Sequence, residues 1–105
     1  LELRAEERLR TVDNQLRLDI ETALSSLADS KSRVETTERA VEQADESFRI
    51  EQGRYKLGAG AMVDMLLAQA ADVTAVANYT QALYDYNAAV VAYRKATGTL
   101  EDYLK

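Results

Sequence analysis

The side chains able to do chemistry in this sequence are carboxylates: 18 Asp and Glu, with no His and no Cys. Without histidine, the usual general base and the commonest imidazole metal ligand are missing. Without cysteine there is no thiolate nucleophile and no disulfide framework, and the redox compartment is not legible. Without His no nucleophile–base pair is available short of unusual lysine chemistry, and no two acids stand apart from the rest as a catalytic couple. The sequence therefore reads as a non-enzyme, with no catalytic residue, metal ligand or cofactor. What remains is one stretch, "YKLGAGAMVDML", residues 55–66, in a chain with four glycines and no proline. Its Gly-Ala-Gly is no phosphate loop, because no strand precedes it and no Gly-Lys-Ser/Thr follows. Asp64 falls near the third position of the helix that follows. There a carboxylate answers the helix dipole, worth about 0.3–1 kcal/mol. In a symmetric tube the same carboxylate would become a ring of negative charge at the mouth.

The elements that would hold this stretch are two helices. Ala, Leu, Glu, Arg, Gln and Lys dominate the composition, as in long helices or coiled coils. The pattern predicts an all-α antiparallel hairpin: helix 5–56, tip turn 57–61, helix 62–97 and a short segment 98–105. Along the first helix Ile20, Leu27, Val34, Val41, Phe48 and Tyr55 recur every seven residues, and Leu9, Leu16 and Leu24 extend the seam. Three residues further on stand Ala23, Ser30, Thr37 and Ala44, all small. Large and small residues alternating over five heptads form a coiled-coil seam open to close approach by another helix. Acidic-then-basic pairs four apart (Glu6/Arg10, Asp13/Arg17, Asp29/Arg33, Glu35/Arg39, Asp45/Arg49) add about 0.2–0.5 kcal/mol each and mark a solvated face. At 1.5 Å per residue this helix is about 78 Å long.

The second helix differs. Residues 1–56 carry 23 charges and residues 57–105 only 8; between Asp64 and Arg94 the charges are Asp72 and Asp85 alone. Leu66, Val73, Ala77, Tyr84 and Val91 form one stripe. Val76, Leu83 and Val90 form a second, and Tyr79, Tyr86 and Tyr93 a third, read as packing. Together they cover more than half the circumference, beyond the roughly 100° that one partner helix buries. The helix therefore needs at least two neighbours, and the isolated hairpin is expected to form a dimer or higher assembly. Arg94 and Lys95 suit its last turn, with Gly98 as a left-handed cap and Thr99 opening a further short turn. Asn78 opens an Asn-Tyr-Thr triplet, but in mid-helix, so glycosylation is discounted. At the tip, Gly58 is expected to end the first helix in the left-handed conformation. The small residues there also let another backbone come close.

Net charge of −5 and a pI near 4.7 argue against nucleic acid and against anionic membrane surfaces. No apolar run approaches the roughly 20 residues a membrane helix needs. The opening "LELRAEERLR" lacks the apolar core of a signal peptide. An export signal is therefore expected either to have been removed or to lie upstream in a longer protein.

The stretch "RYKLGAGAMVDMLLAQAADVTAVANYTQALYDYNAAVVAYRKATG" resembles the distal helical segment of TolC-like outer-membrane efflux proteins. The matching features are Tyr55, Gly58, Val63–Asp64, Leu66–Ala68, Tyr79, Asp85–Tyr86 and Ala96–Gly98, in family order. The preceding "RLDIETALSSLADSKSRVETTERAVEQADESFRI" is similar to the long helix that leads to the turn. The resemblance implies one periplasmic hairpin, more like that of the C-terminal repeat, in a trimeric conduit of a Gram-negative outer membrane. It implies a passive tunnel whose tip, Leu57, Gly58, Ala59 and Gly60, docks a periplasmic adaptor and, through it, an inner-membrane pump. It also implies that Asp64 is a tunnel-entrance carboxylate. Leu67 lies where a second acid can occur, and Gly60 where some members carry a longer polar side chain, so one acidic ring is the most it implies. The competing expectation is a coiled-coil interaction module, an adaptor hairpin or scaffold, without a transport role.

Overall fold

The computed structural model describes residues 2–104. Two helices, α1 (Glu2–Lys56) and α2 (Met62–Leu104), run antiparallel as one hairpin measuring 84 × 19 × 13 Å. The 55 residues of α1 account for the length, at about 1.5 Å each. The all-α hairpin read from the heptads is thus the fold.

The seam between the helices is built from small residues. On α2, Ala68, Ala75, Ala82, Ala89 and Ala96 recur every seven residues, and the middle three are buried, Ala82 completely. Tyr79, Tyr86 and Tyr93 flank them, half-buried. On α1, Ala23 and Leu16 are buried, while Ile20, Leu27, Val34, Val41 and Phe48 are half-buried. Seam hydroxyls are satisfied within their own helix: Ser30 Oγ donates to the Ser26 carbonyl at 2.7 Å and Thr37 Oγ1 to that of Arg33 at 2.7 Å. They therefore add little unpaired polarity to the contact. No large side chain is fully buried among the described residues. The hairpin is a thin ladder of small-residue layers without a globular core.

Several expectations need correction. Leu9 and Leu24 lie outside the seam, 54% and 46% exposed, and Tyr55 at the stripe's end is 41% exposed. Gly98 is not a cap. α2 runs on through it to Leu104, and only Gly58 among the described glycines has positive φ. Thr99 does not open a new turn; its Oγ1 donates back to the Lys95 carbonyl at 2.9 Å, as inside a continuing helix. The physical reason is packing. Ala96, Thr97 and Gly98 are half-buried, and α1 extends alongside them, which outweighs the roughly 1 kcal/mol that an interior glycine costs. Lys105, the last residue of the expected short segment, lies outside the described residues.

The Tyr79, Tyr86 and Tyr93 stripe of α2 lies against α1, and the other two face out except at the half-buried Val90. Leu66, Val73, Val76, Leu83, Tyr84 and Val91 are all exposed, Tyr84 by 71%. One neighbouring helix leaves most of the apolar surface of α2 in water, as its width on the helical wheel requires.

Candidate functional site

The tip is built by backbone hydrogen bonds at the end of α1. Gly58 N–H donates to the Tyr55 carbonyl at 3.1 Å and Ala59 N–H to that of Arg54 at 2.8 Å. With Gly58 at φ +76°, these two bonds make a Schellman motif, which satisfies carbonyls that a helix end otherwise orphans. Gly60 N–H adds a second donor to Arg54 O at 3.1 Å. The two glycines serve different ends. Around Gly58 nothing lies within 4 Å of a would-be Cβ, so its requirement is backbone conformation alone. At Gly60 a Cβ would stand 3.0 Å from Arg54 Cβ and 3.3 Å from Tyr55 N, so its requirement is space.

The surface of this turn is apolar at its apex and charged behind it. Leu57 is 86% exposed, and Met62, Val63 and Leu67 are exposed around it. Arg54 and Lys56 close the last turn of α1, where cations suit the negative end of the dipole. Ala59 is exposed and Gly60 half-buried. The four expected tip residues thus lie together at the apex.

Asp64 is the third residue of α2 and the acid of its first turn. The residue before the helix, Ala61, accepts Met65 N–H with its carbonyl at 3.3 Å but has no side-chain oxygen to cap the other N–H groups. Asp64 is exposed and forms no side-chain hydrogen bond or ion pair among the described residues. Its carboxylate acts on the helix end through space only, and faces water beside the apex.

Two further carboxylates matter here, Glu51 and Asp85. Glu51 continues the series Ala23, Ser30, Thr37, Ala44 by one more heptad, so the signal was present. It sits partly buried at the tip end of the seam. Its Oε1 accepts from Arg54 Nη1 at 3.5 Å, while Oε2 is buried with no hydrogen-bond donor. Asp85 takes the Arg33 guanidinium at 3.3 Å on Oδ2 and the Gln81 amide at 3.0 Å on Oδ1. Arg33 therefore crosses to α2, where spacing along α1 had paired it with Asp29. Two of the expected pairs along α1 do form, Asp13–Arg17 at 3.5 Å and Asp45–Arg49 at 3.4 Å.

Chemically, the arrangement offers a contact surface. Among the described residues no group of acids is placed to hold a metal ion. The rod's hollows are open grooves, such as the one lined by Lys31, Val34, Glu35 and Tyr86. No helix among the described residues is long and apolar enough to cross a membrane. Compared with known families, residues 2–99 match the sequence model of the family described as outer membrane efflux protein. No curated protein and no solved structure matches the chain.

Proposed function

The chain belongs to the outer membrane efflux protein family, a family of transport channels, and on that premise we propose that its hairpin is a periplasmic stave of a trimeric efflux tunnel. The tunnel is a passive conduit without an enzymatic step. The observation that carries this reading is the outward face of α2. Leu66, Val73, Val76, Leu83, Tyr84 and Val91 form exposed apolar stripes beside the seam, and contiguous apolar surface of that kind marks an interaction face. A helix in the wall of a tunnel has its hairpin partner on one side and the next stave on the other, and both kinds of face are then used.

In this reading Leu57, Gly58, Ala59 and Gly60 dock a periplasmic adaptor protein, which links the tunnel to an inner-membrane pump. The exposed Leu57 is the anchor, and the glycines allow close backbone approach. Asp64, repeated around the threefold axis, rings the entrance with carboxylates. The test is a photo-cross-linking residue at Leu57 of the channel in Gram-negative cells, with Arg39, far along α1, as the control position. Cross-linking to a periplasmic adaptor from position 57 and not from 39 supports the docking role. Equal adducts from both positions, or none from 57 in cells that export normally, refute it.

A further inference from the structure

The seam that joins the helices repeats itself. On α1 Leu27, Val34, Val41 and Phe48 recur every seven residues, and on α2 Ala75, Ala82 and Ala89 do the same. Sliding one helix past the other by a heptad returns small residues to large ones in the same order and keeps most apolar contacts. Gly53 brings such a slide within reach. It lies inside α1, and nothing stands within 4 Å of its would-be Cβ, so no packing demand explains a glycine there. If α1 ended at Gly53 and a longer loop followed, pairing would shift by about a heptad and other residues would occupy the apex.

We infer that Arg33, Asp85 and Gln81 form a register lock that selects the pairing with Leu57–Gly60 at the tip. This is the only ion pair between the two helices among the described residues, since the other three lie within α1. Both oxygens of Asp85 are engaged, one across the seam and one by Gln81. Seven residues either side of Asp85 stand Asn78 and Ala92, so neither slid pairing gives Arg33 a carboxylate. The half-buried Asp72 works in the same direction. By the juxtaposition of Tyr86 with Val34 in the groove beside the seam, two heptads further along it lies level with Phe48 near the tip, and the slide toward Gly53 would carry it level with Val41, deeper in the rod. A polar residue in a repeating apolar seam specifies register at some cost in stability, and that is the best-attested use of such groups. An exposed pair adds little to total stability, yet it suffices to choose between pairings that are otherwise nearly equal.

The inference does not depend on the efflux reading, because its test concerns the hairpin alone. The chain has no cysteine, so introduced pairs report without background. Ala44→Cys with Ala75→Cys reads the observed register, and Ala44→Cys with Ala68→Cys reads the slid one. Each is oxidised at low protein concentration and quantified as intrachain disulfide by mass spectrometry. Arg33→Asp sets two carboxylates against each other and should move the yield ratio toward the slid pair by about two- to fivefold, the range an exposed ion pair supports. The swap Arg33→Asp with Asp85→Arg should restore it. If Arg33→Asp loses its helical circular-dichroism signal, the neutral Asp85→Asn is read by the same ratio. An unchanged ratio overturns the lock. So does loss of the first disulfide without gain of the second, or a swap that fails to restore.

Discussion

Replacing Gly58 isolates one physical quantity, the cost of a left-handed backbone for an L-residue. Its φ is +76°, and no atom lies within 4 Å of a would-be Cβ, so a side chain there meets no neighbour. The penalty for Gly58→Ala is then conformational, about 1–2 kcal/mol from the clash between Cβ and the following carbonyl. Gly58→Val should cost at least as much, because β-branched residues at positive φ are genuine outliers. Gly58→Asn should cost least, since asparagine tolerates this region. Thermal unfolding followed by helical circular dichroism at fixed protein concentration gives the ranking. For a chain of this size each kcal/mol corresponds to about 4–8 °C in Tm. The expected order of stability is Gly, then Asn, then Ala, then Val. A Val variant with unchanged Tm, or an Asn variant as unstable as Val, would refute the left-handed cap.

Light scattering on the purified chain should report a dimer or higher assembly, because the outer stripes of α2 have no cover in a single hairpin; a well-folded, strictly monomeric species contradicts this. Glu51→Met removes the orphaned oxygen altogether and should raise Tm, by up to the roughly 1–3 kcal/mol that an unsatisfied buried polar group costs; a fall would mean that Oε2 is solvated. Asp64→Asn should weaken cation block or selectivity in single-channel recordings of the assembled channel, while shifting hairpin stability by no more than about 0.3–1 kcal/mol. Recordings identical to the parent's would leave Asp64 a helix-dipole residue only.

The heptads made most of this fold legible. Ile20 through Phe48 and the small residues between them define a seam whatever the partner, because periodicity depends on the residues themselves. Gly58 was legible for the same reason, as a glycine at the end of a helical pattern. Gly60 was not, because its need for space comes from Arg54 and Tyr55 folding back beneath it, a contact that exists only once the turn is closed. Local cap signals place the end of α2 at Gly98, but they compete with packing, and the packing comes from a segment of α1 some 80 positions away in sequence. Spacing along its own helix pairs Arg33 with Asp29. Its reach to Asp85 required the register, and the register required the turn. Of the tip residues, position was legible and role was not, since a contact surface is defined by what it meets.

The alanine ladder has a mechanical corollary. Each layer of the rod touches only the layer above and below, so its cohesion is a chain of short-range links, as in repeat proteins. In the isolated hairpin, opening should therefore begin at the ends of α1 and α2 opposite the Schellman turn and run toward it one layer at a time. Amide exchange would be fastest at those opposite ends and slower in the layers nearer Ala75 and Ala82. A disturbance at one end loses strength with each layer it crosses. The apex can then be reshaped by whatever it touches while the opposite end of the 84 Å rod stays undisturbed.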